Sequence, residues 1–139
     1  MYLFTFLYPR PQGRAFGYEH HQNVHMPMGL ALVKKHLGVQ PDFYWVERIG
    51  ENDPASQEKY AAIVHLCFAK EEDRDRILEM PGVAEAAQLQ ADYANYTDTP
   101  PEIRRSRLAQ SARSCDFGHV EEQRLNMAIY QARSCPPIS

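Results

Sequence analysis

The run Tyr2-Leu3-Phe4-Thr5-Phe6-Leu7-Tyr8 decides the reading of the fold. It is rich in aromatic and branched residues and stops at the breaker-rich Pro9-Arg10-Pro11-Gln12-Gly13, so it reads as a strand followed by a loop. Alternate residues of a strand face opposite sides. Here Tyr2, Phe4, Phe6 and Tyr8 share one side, while Leu3, Thr5 and Leu7 share the other. An antiparallel sheet with one wet face should alternate apolar and polar residues, and this strand does not. Both of its faces therefore need cover.

Working outward, Phe16 to Leu37 has helical spacing, with Met28 and Leu32 on one side and Gly38 as a natural stop. Pro27 cannot lie deep in one regular helix, which predicts a kink or fresh start at His25-Met26-Pro27. Phe43 to Ile49 reads as a second strand, and Tyr60 to Ala69 as a third. Glu71-Glu72-Asp73 opens a second helix, where the dipole favours acidic residues. That helix carries Ile77, Leu78 and Met80 and is interrupted at Pro81-Gly82, with one more turn over Val83 to Ala87. A last strand is expected over Gln88 to Tyr96.

This order is the ferredoxin-like βαββαβ arrangement, an α+β fold with split βαβ connections. It forms a four-stranded antiparallel sheet with helices on one face. The helices cover one side only, so the apolar opposite face calls for a partner, most economically a second copy in a homodimer. The expected domain spans residues 1–100. Pro100-Pro101 marks its end, and 101–139 is a polar, partly helical C-terminal extension with a thin apolar stripe at Leu125, Ala128 and Ile129. It reads as an arm lying on the partner or on the domain's own surface, with disorder as the alternative.

The composition excludes several classes of function. The 139 residues suffice for one core, and their apolar share of 44% and charged share of 24% are ordinary for a globular protein. A net charge of -3 gives no basic field for nucleic acid, despite Arg104, Arg105 and Arg107. No apolar run is long enough for a membrane span, and the amino terminus lacks the layout of a secretory signal. Cys67, Cys115 and Cys135 are odd in number and widely spaced, which favours neither a disulfide framework nor a zinc site. The expected location is cytoplasmic. The sequence has no glycine-rich phosphate loop and no nucleophile elbow.

The chain also resembles the EthD family of dimeric α/β barrels. Phe16 followed by His25-Met26-Pro27-Met28 reproduces the family's helix opening and His-x-Pro motif. Tyr60 to Phe68, followed by Glu71-Glu72-Asp73, matches its next strand and acidic helix start. Ala91-Asp92-Tyr93-Ala94-Asn95-Tyr96 matches its aspartate and aromatic residue near the end. Ala61 and His65 stand where the family usually has aspartate and glutamate. The resemblance implies a homodimer, with a pocket between sheet and helices in each subunit. It also implies degradation or tailoring of small organic molecules, usually without a metal or organic cofactor.

Six histidines invite a metal reading, and His21 and His25 are four apart. A zinc site needs three or four ligands, and no His-Glu-x-x-His pattern is present, so no metal is expected. His25 is the leading candidate acid or base, because an imidazole exchanges protons near neutrality. Its alternative role is to brace the helix break at Pro27. His65, on a strand between Ile63 and Cys67, is either a second catalyst or a satisfied core residue. Asp92 is either an orienting carboxylate for a histidine or a local turn partner. Tyr8, Tyr44 and Trp45 are candidate substrate-binding aromatics. Tyr44 and Trp45 face opposite sides of their strand, so only one can line the pocket.

The leading expectation is an enzyme that needs no cofactor and moves protons on a small apolar, aromatic or polyketide-like substrate by cyclisation, dehydration, isomerisation or cofactor-free oxygenation. The alternatives are a non-catalytic binding or accessory protein of such a pathway and, less favoured, a haem-handling protein.

Overall fold

The computed structural model describes residues 1–51, 53 and 55–109. The elements run β1 (Tyr2–Pro9), α1 (Tyr18–His20), a π-turn (His21–His25), α2 (Met26–Leu37), β2 (Phe43–Arg48) and β3 (Tyr60–Phe68). They continue with α3 (Glu71–Arg76), a 3-10 stretch (Ile77–Gly82), α4 (Ala86–Asp92), a second 3-10 turn (Tyr93–Asn95) and β4 (Glu102–Arg107). The strands form a four-stranded sheet in the order β2-β3-β1-β4. Every neighbouring pair is antiparallel. This is the expected ferredoxin-like topology.

The register fixes which side chains share a face. Phe4 pairs with Leu66, Phe6 with Val64 and Tyr8 with Ala62. These residues pack under the helices in one core that also takes Phe16, Leu37, Ile77 and Tyr96. Thr5 pairs with His65, and His65 with Trp45, on the opposite face of the sheet. Trp45 and Phe43 remain 39% and 51% exposed there, and their rings stack.

The last strand corrects the sequence reading. Gln88 to Tyr96 was expected to close the sheet, but it is helical: α4 and the 3-10 turn that follows. Ala86, Leu89, Tyr93 and Tyr96 recur at helical spacing, and all belong to the core or pack against it. The strand is Glu102–Arg107, paired with β1 from Tyr2↔Arg107 to Leu7↔Glu102. The sheet thus continues past the expected boundary at residue 100, and the compact unit runs from Met1 to Arg107. Among the described residues β4 is an edge strand, and it carries Arg104, Arg105 and Arg107. The expected helix at 120–132 lies outside the described residues.

The break at Pro27 takes the form of the π-turn. The N–H of Met26 bonds the carbonyl of His21, five residues back, and Pro27 falls at the start of α2, where its missing N–H is tolerated. Gly38 ends α2 in the left-handed conformation, with φ 66° and its N–H on the Lys34 carbonyl at 3.1 Å.

Candidate functional site

The π-turn gathers the histidines. In a regular α-helix, residues five apart lie about 140° around the axis and cannot reach one partner. The wider π-turn brings His20 and His25 to the same carboxylate. His20 Nε2 lies 2.8 Å from Asp92 Oδ1, and His25 Nδ1 lies 2.9 Å from Asp92 Oδ2. Asn95, one turn beyond Asp92, donates its Nδ2–H to Oδ1 at 2.9 Å. Asp92 ends α4, where the helix dipole disfavours an anion. These side-chain donors offset that cost.

The electrostatics give the two partners different states. Burial pushes the Asp92 carboxyl up, but the bonds from Asn95, His20 and His25 outweigh it and hold its pKa below the usual range. Asp92 is therefore an anion at neutral pH. Burial lowers the His25 pKa, while Asp92 pulls it back up without fully compensating. His25 is thus a neutral ring whose Nδ1 carries the proton facing the carboxylate. Its Nε2 has no protein partner among the described residues. His25 does not brace the carbonyl freed at Pro27; its hydrogen-bonding nitrogen is committed to Asp92.

His25 lines a cavity of about 190 Å³ between the helices and the sheet. Tyr8, Gln90 and Tyr93 are its other polar neighbours there, and the remaining lining is apolar, with Phe4, Met26 and Leu89 among it. Behind the cavity, His21 is fully buried in a nest of rings formed by Tyr8, Phe16, His25 and Tyr96. Neither ring nitrogen of His21 has a partner. Burial, helped by the neighbouring His25, lowers the His21 pKa to about 3. Burial likewise raises the Tyr8 and Tyr96 hydroxyls far above the usual phenol range, so both stay protonated.

The expected site residues fall in three places. The structure brings together His25, Asp92 and Tyr8. His65 is not in this cavity, because its strand position points it to the opposite face of the sheet. There it bonds Thr5 Oγ1 through Nδ1 at 3.0 Å and Glu47 Oε1 through Nε2 at 3.2 Å, and it stacks on Trp45. Trp45 shares that face. Tyr44 points to the helix side, as the alternation predicts, but lines a separate surface depression with Leu30, Lys34 and Pro41. Sequence reasoning missed His20 and Asn95. His20 was legible as the start of a His-His-x-x-x-His run; Asn95 was hidden by the strand assigned to its segment.

No group of three or more histidine, cysteine, aspartate or glutamate side chains among the described residues is placed to hold a metal ion. Among these residues, no helix is long and apolar enough to cross a membrane.

A four-stranded antiparallel sheet with a helix-covered pocket defines the fold class as ferredoxin-like α+β. Comparison with solved structures makes the fold specific. The chain is similar to an EthD-like protein from Ralstonia eutropha JMP134, with a TM-score of 0.58 and 24% sequence identity over 81% of this chain and 95% of that one. The fold is therefore EthD-like, as the sequence motifs implied. No protein-family profile matches the sequence, and no curated protein does.

Proposed function

We propose that the protein is an enzyme that moves protons on a small, largely apolar molecule held in the His25 cavity, with no bound cofactor. The carrying observation is His25, on the wall of a largely apolar pocket and held at 2.9 Å by Asp92 behind it. A neutral imidazole with its Nδ1–H on a carboxylate presents Nε2 as a base, and the carboxylate stabilises the imidazolium once the proton is taken. Nε2 removes a proton from a carbon beside a carbonyl, and the electron pair left behind moves onto the carbonyl oxygen. The imidazolium then returns the proton to that carbon, to another carbon or to a leaving oxygen. Exchange, isomerisation and dehydration all follow from this one step. Donors for the developing oxyanion are available from Gln90, Tyr8 and Tyr93.

The same reading includes a homodimer. The face carrying Leu3, Thr5, Ile63, His65, Phe43 and Trp45 lies away from the helices, and exposed aromatics on a sheet favour burial against a second copy. His65 then belongs to the subunit contact and not to the chemistry.

Cyclohexanone in D2O tests the base: it is neutral, has one ring and carries exchangeable hydrogens beside its carbonyl. The expected result is exchange accelerated by the wild type and reduced by about 100-fold or more in His25→Ala. Equal exchange with the two proteins would remove His25 from the chemistry. Binding without exchange would point to a carrier or accessory protein.

A further inference from the structure

We infer that the cavity takes an uncharged, single-ring molecule and that Gly29 sets its upper size; this rests on reading the His25 cavity as the binding site. Three observations converge. The first is charge. Among the described residues, no lysine, arginine, aspartate or glutamate lines the cavity. Asp92 stands behind His25 as an anion. A ligand arriving with a negative charge would meet no cation and would face that carboxylate across an apolar wall. It would lose its hydration without compensation. A cation would find no carboxylate on that wall either, so the ligand enters neutral and develops charge only when His25 takes its proton.

The second observation is volume. An apolar cavity of roughly 150 Å³ is known to take up benzene. At about 190 Å³ the space here is somewhat larger and suits one ring with one or two small substituents. Met26 and Met80 line it, and thioethers make favourable contacts with aromatic rings. The exposed Leu78 and Ile103 also belong to the lining, which provides a way in.

The third observation is Gly29 itself. It lies inside α2, where glycine weakens a helix relative to alanine. Neither usual justification applies to it. Its φ is not among the positive ones, which belong to Gly38 and Gly50. A Cβ there would meet only Leu89 Cδ2, at an ordinary 3.6 Å. What the missing side chain leaves is room in the cavity, since Gly29 and Leu89 line it from facing helices. Gly29 is therefore a specificity-determining position.

Toluene, p-cresol and benzoate, titrated against the full chain and followed by NMR shifts of the His25 ring and pocket methyls, test the inference. Toluene and p-cresol should bind, and benzoate should bind at least 10-fold more weakly at pH 7.5. Gly29→Leu should weaken both neutral ligands by 10-fold or more. Gly29→Ala should still bind them and melt about 2–5 °C higher. Benzoate binding as tightly as toluene would overturn the charge argument, and it needs no variant. Unchanged p-cresol binding in a folded Gly29→Leu protein would overturn the size argument. Toluene carries no hydrogen beside a carbonyl, so its binding is read independently of proton transfer, and a failure of that chemistry remains distinguishable from a failure of this ligand class.

Discussion

His21 offers the sharpest test of how this core is built. The ring is fully buried and lacks partners for both nitrogens, and its pKa falls from 6.5 to about 3. Below pH 6.5 the unfolded chain binds a proton at this ring that the folded protein refuses until about pH 3. Stability therefore rises with pH across that window and is lost as pH falls through it. At pH 5 the gap from the unfolded value is about 1.5 pKa units, so His21 alone costs about 2 kcal/mol relative to pH 7.5. For a domain of this size that is a fall of roughly 8–16 °C in the melting midpoint. His25, lowered in the same direction, adds to the fall. The lowered Asp92 does not contribute, because its own loss comes only at more acidic pH. The assay is urea unfolding at pH 5 and pH 7.5 for the wild type and for His21→Phe, which keeps an aromatic ring in the nest. The variant should lose about 2 kcal/mol of the pH dependence and keep the share belonging to other groups, His25 among them. Identical slopes for the two proteins would show that His21 is solvated or hydrogen-bonded, refuting the account of the buried ring.

Three further outcomes are expected. In Asp92→Asn, His25 should titrate at lower pH than in the wild type, because the carboxylate raises its pKa against burial; an upward shift in an NMR titration would contradict the pairing. Gly38→Ala should cost about 1 kcal/mol, measured by chemical denaturation, because the helix end requires φ 66° while a Cβ there meets nothing. Trp45→Glu should convert a dimer to a monomer in sedimentation equilibrium without unfolding the domain; a wild type that is already monomeric at micromolar concentration would remove the sheet face as the subunit contact.

Much of the fold could be read from local chemistry. The aromatic and branched runs of β1 and β3, the acidic start of α3, Gly38 past the end of α2 and the disturbance at Pro27 each carry a short-range signal. The segment from Gln88 to Tyr96 shows where that approach fails. Reading it as the closing strand followed the expected element order, although its alanines, glutamines and leucine favour a helix and its apolar residues recur at helical spacing. Glu102–Arg107 was passed over because an arginine-rich run does not look like a buried strand. It is an edge strand, whose pairing with β1 comes from register rather than burial.

For the site, the sequence alone determined that His25 and Asp92 were the residue types suited to proton transfer, and that Tyr44 and Trp45 must face opposite sides. The alternation of a strand fixes facing without reference to the rest of the chain. Only the tertiary structure decided that His25 and Asp92, 67 residues apart, meet at 2.9 Å and that His65 lies on the other side of the sheet. The reason is that the π-turn and the end of α4 are oriented by the core they both bury. Contacts between segments distant in sequence depend on how whole elements pack, and short-range patterns do not record that.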